Sequence, residues 1–206
     1  MERSQGYFTH EELKNNAKAS LSNNWCTSII VCIIAATLYT APGLINEKLH
    51  VLFLILAGPI SFGVSLYFLK LSRNERAKVT LLFQGFRQFG TTLTTYLLCT
   101  LFIFLWTLIL IIPGIIAIIS YSQVFFILAD NPEIPATEVM KISKNMMQGY
   151  KWDYFVLQLS FLAWGICCIL TLGIGFLWLI PYINMTNANF YLKVKENYNP
   201  VNFQIF

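Results

Sequence analysis

Charge is what this sequence has least of. Only 12% of its 206 residues are Asp, Glu, Lys or Arg, against about 25% in an ordinary soluble domain. The deficit is concentrated: residues 88–129 and 154–192, runs of 42 and 39, carry no charge at all. A membrane helix needs about 20 mainly apolar residues, so each run is long enough for two crossings. Histidine is nearly absent, with only His10 and His50. The five cysteines, Cys26, Cys32, Cys99, Cys167 and Cys168, lie in or beside apolar segments and show no metal-ligand spacing with histidine. They read as small buried hydrophobes, not as a disulfide framework or zinc site. No Gly-rich phosphate loop and no nucleophile–base set is present. The sequence therefore predicts no enzyme, no catalytic residue, no cofactor, no metal and no nucleic-acid partner. Residues 1–24 are polar and lack a short apolar core with a cleavage site, so the first apolar segment is expected to stay in the mature protein.

What remains is apolar sequence punctuated by Gly and Pro. The clearest stretch is Trp106–Pro132, which is uncharged up to Ala129, broken by Pro113-Gly114 and stopped by Asp130-Asn131-Pro132. The expected fold is an all-α membrane protein, one polytopic domain over 1–206, with six transmembrane helices as three hairpins. Each hairpin is preceded by a cytoplasmic amphipathic helix. The crossings fall at 25–41, 51–69, 91–112, 115–129, 154–170 and 176–192. Pro42-Gly43 closes the first, Leu44–His50 with Glu47 and Lys48 forms an outer loop, and Gly58-Pro59 is expected to kink the second.

The amphipathic helices are expected at 7–24, 74–89 and 135–150. In the first, Leu13, Ala17 and Leu21 form the apolar stripe, Trp25 continues it, and Thr9 with Glu12 suggests a capping box. In the second, Val79, Leu82, Phe83 and Phe86 fall at helical spacing. In the third, Val139, Ile142, Met146 and Tyr150 oppose Thr137, Lys141, Lys144 and Gln148. A polar tail follows over 193–206.

Orientation follows from the basic residues. With these boundaries 13 of the 14 Lys and Arg residues lie on one side, and only Lys48 lies on the other. The positive-inside rule then places both termini in the cytoplasm.

The ends of the second, fourth and sixth crossings read alike: SFGVSLYFL (61–69), SYSQVFFIL (120–128) and NMTNANFYL (184–192). Gln84-Gly85-Phe86-Arg87 and Gln148-Gly149-Tyr150-Lys151 match at the same spacing as Ser120 and Asn184. These matches suggest parallel repeats with a shared polar face. Ser120, Gln123, Asn184 and Asn187 are the candidate ligand- or lipid-contacting residues, with interhelical hydrogen bonding as the plainer reading. Arg73, Arg76, Lys78, Arg87, Lys144 and Lys151 are candidates for headgroup contact. No charged residue falls inside a crossing, which argues against an ion-coupled carrier. Asp130, followed by Asn131-Pro132, is expected to fix a turn.

Several motifs occur together. They are Leu105-Trp106 with Ile112-Pro113-Gly114; Tyr121-Ser122 with Leu128-Ala129-Asp130-Asn131-Pro132; Met147, Gly149 and Lys151-Trp152; Leu159-Ser160-Phe161; and Gly173-Ile174-Gly175, Trp178 and Pro181-Tyr182. Glu12-Leu13-Lys14 through Trp25 adds an N-terminal element. In this combination the chain resembles the bacterial integral-membrane family known as domain of unknown function 975. It is also similar to the membrane domain attached to some glycerophosphodiesterases, without their catalytic domain. The resemblance implies a protein of the bacterial cytoplasmic membrane and transfers no catalytic residue. The expected function is a non-enzymatic module engaging membrane lipids, another membrane protein or a second copy of itself, in a role such as envelope stress or self-protection from antimicrobial peptides. A small channel or carrier with a polar path between the hairpins is the alternative.

Overall fold

The computed structural model describes residues 9–45 and 50–198, excepting the side chains of 41–45 and 50–53. Glu47 and Lys48 of the expected outer loop, and residues 199–206 of the tail, lie outside the described residues. The described residues are mostly helical, and no strand occurs among them. The elements are α1 (His10–Leu21), α2 (Trp25–Ile45), α3 (His50–Ser72), a 3-10 segment (Val79–Gln88), α4 (Phe89–Ile109), α5 (Ile111–Ser120), α6 (Val124–Asp130), α7 (Ala136–Met146), α8 (Lys151–Leu170) and α9 (Phe176–Asn197).

Four stretches are long and apolar enough to cross a membrane: Leu54–Ser72, Val79–Ile109, Ile111–Asp130 and Lys151–Leu170. There are five if α1 and α2, bent by 98° to each other, count as one. Besides an apolar core, many large apolar side chains lie on the outside. Leu108, Ile111, Ile112, Leu162 and Leu170 are all exposed. A continuous apolar surface of this kind is costly in water and suits contact with lipid tails.

The two soluble-looking amphipathic helices form as their patterns predict. Leu13, Ala17 and Leu21 of α1 are buried. The Thr9 hydroxyl accepts from the Glu12 amide at 3.3 Å, which satisfies one orphan donor of the first turn. Glu11 and Glu12 at the start and Lys18 at the end complement the helix dipole. In α7, Val139, Ile142 and Met146 are buried, as is Tyr150 just beyond it. Lys141 and Lys144 point outward.

The middle amphipathic element differs from expectation. Residues 74–78 are not helical, and 79–88 form a 3-10 helix, not an α-helix. Asn74, in the left-handed region at φ 57°, ends α3, with the Glu75 amide bonded back to the Lys70 carbonyl at 2.9 Å. The 3-10 winding has about three residues per turn, and burial follows that period. Leu82 and Gly85 face inward while Phe83, Phe86 and Phe89 face outward. The Val79–Leu82–Phe83–Phe86 stripe is thereby split between two faces.

Glycine lets this segment lie directly on α3. A Cβ at Gly85 would run into the Pro59 backbone, and one at Gly63 would run into the Leu82 backbone. A Cβ at Gly58 would stand 2.6 Å from the Thr92 carbonyl oxygen of α4. Gly58-Pro59 lies within the helix His50–Ser72, as expected of an internal proline, and both residues pack closely against the 3-10 segment and α4.

Four boundaries also move. α2 runs through Pro42-Gly43 to Ile45, as membrane helices tolerate such breakers. The turn after α4 is made by Leu110, extended at φ −160° and ψ 147°, not by Pro113-Gly114. Pro113 sits in the first turn of α5, where a missing amide costs least. Gly114 admits Thr107 of α4, which a Cβ would strike. The expected crossing 115–129 breaks at 121–123 into α5 and α6. There Ser120 Oγ donates to Ile116 O at 2.7 Å and Ser122 Oγ to Ile119 O at 2.8 Å, a pattern that competes with helical bonding. Finally, α9 continues through Lys193–Asn197, which was expected to be tail.

The core gathers α3, α6 and α9. Tyr67, Phe68, Leu128, Phe190 and Tyr191 are all buried. Tyr191 stacks on Phe126 with ring centroids 5.6 Å apart, and α1 packs across α9. The matched Gln-Gly pairs differ in backbone: Gly85 is in the 3-10 helix, whereas Gly149 turns at φ 89° before α8.

Candidate functional site

Two polar assemblies lie along α3, α6 and α9. The first is a cavity of about 430 Å3 between α2, α3, α6 and α9, lined on its polar side by Tyr39, Ser61, Ser65, Ser122, Asn184 and Asn187. The Tyr39 hydroxyl and Ser61 Oγ are 2.9 Å apart. Asn187 Oδ1 accepts from Gln158 Nε2 of α8 at 2.8 Å, and Asn184 Nδ2 donates to the Ile180 carbonyl at 3.0 Å. The lining has hydroxyls and amides but no charge. It can present donors and acceptors to a neutral polar group, and it holds no acid–base pair.

Of the four sequence candidates, only Asn184 and Asn187 line this cavity. Ser120 is buried, and its carbonyl accepts from Ser143 Oγ of α7 at 2.8 Å. Gln123 is fully buried, with Nε2 donating to Ser122 Oγ at 2.9 Å. Its Oε1 has no hydrogen-bond partner among the described residues. The break at 121–123 turns Ser122, not Ser120 or Gln123, toward the asparagines. Ser61 was visible in the sequence as the counterpart of Asn184 in the aligned segments. Tyr39 carried no signal.

The second assembly is an ionic junction at the ends of the same three helices. Asp130 closes α6 with its carboxylate almost wholly buried. Arg73, just past α3, donates from Nη2 to Oδ2 at 2.8 Å and pairs ionically with Oδ1 at 2.7 Å. From α9, the Tyr191 hydroxyl donates at 2.7 Å and Lys195 Nζ at 2.6 Å. Carboxylate charge is unfavourable at a helix C-terminus, and two cations offset it here. Asp130 thus ties three helices together, where the sequence suggested a local turn. A recess of about 750 Å3 opens beside it, between Asn131, Met146 and Tyr198.

The headgroup candidates divide. Arg73 is engaged by Asp130. Arg76, Lys78, Arg87 and Lys144 are exposed and Lys151 half-buried, and none forms an ion pair among the described residues. Arg87 follows Gln84 on a face adjoining the Phe83–Phe86–Phe89 row, where Phe83 and Phe86 stack at 6.4 Å. Among the described residues, no cluster of three His, Cys, Asp or Glu side chains could hold a metal ion.

The family profile described as "Protein of unknown function (DUF975)" matches residues 7–121 and 107–198. The chain belongs to that family. The two matches overlap within α4 and α5 and together cover the whole helical assembly. Neither a curated protein nor a solved structure matches the chain.

Proposed function

We propose that this family member is a non-enzymatic module of the bacterial cytoplasmic membrane that holds lipids against its cytoplasmic-face elements. In this reading α2, α3, α4, the α5–α6 pair, α8 and α9 are six crossings arranged as three hairpins, and both termini are cytoplasmic. The charge asymmetry of the sequence supports that orientation. So does the Asp130 junction, which joins the ends of three returning helices as one side of a membrane would require.

The observation that carries the lipid reading is the 3-10 segment. Its three-residue period sets a row of exposed phenylalanines beside Arg87 and leads straight into α4. An apolar row for the acyl region next to cations for anionic headgroups is the physics of an interfacial helix. Lys144 of α7 is a further exposed cation. A partner membrane protein or a second copy could use the same strip, and a role in envelope stress or peptide self-protection fits such a module.

One observation favours the channel or carrier reading: the uncharged cavity on Ser61, Ser65, Ser122, Asn184 and Asn187. Against a continuous path stand Ser120 and Gln123, which are packed outside it. Purification in mild detergent, with mass spectrometry of co-purifying lipids and proteins, tests the module. Anionic lipid or one defined partner should be retained. Lipid of bulk composition and no partner would reject it. Solute flux through reconstituted vesicles, abolished by Asn184→Leu, would instead establish the carrier.

A further inference from the structure

A groove of about 400 Å3 runs between α1, α2, α8 and α9, away from both polar assemblies. Its walls are largely aromatic: Trp25, Trp164, Trp178 and Tyr182, with Leu179 and Cys168 between them. At one end stand Asn15 and Lys18 of α1; at the other is Gly175, in the turn that joins α8 to α9. α8 and α9 touch each other much less than α4 and α5 do, which leaves the space.

α1 is fastened over this groove. Lys14 Nζ donates to Ser160 Oγ of α8 at 2.8 Å and lies 5.2 Å from the Phe161 ring centroid. The Tyr182 hydroxyl donates to the Lys14 carbonyl at 3.3 Å. Lys14 therefore has its partners. Lys18, one turn further along, is exposed and forms no ion pair or hydrogen bond among the described residues. The groove thus has one uncompensated cation at its polar end and an aromatic, apolar length beneath it.

We propose that this groove is a binding site for one anionic glycerophospholipid, its phosphate on Lys18 and one acyl chain lying between Trp164 and Trp178. Charge complementarity selects the headgroup: an interfacial ammonium attracts anionic lipid. The apolar faces of Trp164 and Trp178 suit contact with an acyl chain. The site rests on the lipid-engaging reading and gives it a defined position, separate from the 3-10 strip.

The test uses the full-length protein, delipidated in mild detergent and titrated with phosphatidylglycerol or phosphatidylcholine of identical chains. Native mass spectrometry counts the lipids retained as collision energy rises, and a melting curve checks that each variant is folded. Wild type should keep one phosphatidylglycerol several-fold better than phosphatidylcholine. Lys18→Gln should abolish that preference. Trp164→Ala should weaken both lipids together. Lys78→Gln, an equal change of charge on the other strip, should leave the preference intact. An unchanged preference in Lys18→Gln, or equal loss in Lys78→Gln, would overturn the groove while leaving the surface reading standing. A retained polypeptide in place of lipid would also overturn it. Failure of every form to prefer anionic lipid would reject both.

Discussion

Replacing Asp130 by Asn keeps the size of the hub side chain and removes its charge. The carboxylate receives Arg73, Tyr191 and Lys195 within 2.6–2.8 Å. Its side chain is only 5% exposed, whereas those of Arg73 and Lys195 are 34% and 46% exposed. Breaking a fully buried ion pair costs about 3–5 kcal/mol, and an exposed pair is worth about 0–1 kcal/mol. This junction lies between the two, so Asp130→Asn should cost about 2–3 kcal/mol. For a chain of this size that is roughly a 5–10 °C fall in melting temperature, measurable by fluorescence-detected unfolding in detergent. Arg73→Gln in the Asp130→Asn background should add much less than Arg73→Gln alone, because the two act through one network. A change below about 0.5 kcal/mol, the range of ordinary surface substitutions, would refute the claim that Asp130 ties α3, α6 and α9 together.

Three further outcomes follow from named contacts. Gly85→Ala should destabilise by about 1–3 kcal/mol, since its Cβ meets Pro59 backbone. Gly90→Ala, which meets nothing within 4 Å in α4, should be neutral or mildly stabilising, and the same melting assay compares the two. Asn187→Leu should cost about 1 kcal/mol by stranding Gln158, with Gln158→Leu in that background restoring most of the loss. A nitroxide at Phe86→Cys, with the native cysteines replaced, should be accessible to oxygen and sit at shallow bilayer depth. One at Glu75→Cys should be accessible to a water-soluble relaxant.

The amphipathic helices were legible because their stripes are read by water. Leu13, Ala17 and Leu21, and Val139, Ile142 and Met146, repeat at helical spacing and are buried as that spacing requires. The 3-10 segment was not, because Val79, Leu82, Phe83 and Phe86 satisfy an α-helical stripe as well as two faces of a three-residue period. Only Gly63 and Gly85 meeting Leu82 and Pro59 decide between them, and glycine does not announce its neighbour. The end of α4 was misplaced because Leu110, not Pro113-Gly114, makes the turn. That unbroken reading of the fourth crossing put Ser120 and Gln123 on the polar face. Three side chains able to bond locally within four residues, Ser120, Ser122 and Gln123, accompany the break in the helix, and Ser122 faces the cavity instead. Asn184 and Asn187 were legible, since residues three apart share a helix face. Asp130 was not, because residues 73, 130 and 195 meet only through the tertiary packing of three helices.

The most direct test of the lipid-holding account is the composition of the lipid shell. The protein would be extracted with its surrounding bilayer into polymer nanodiscs and its lipids compared with those of the whole membrane. Enrichment of anionic lipid is expected, with a marked fall when Arg76, Lys78 and Arg87 are all changed to Gln. A shell of bulk composition in the wild-type protein, unaltered in the triple variant, would contradict the account.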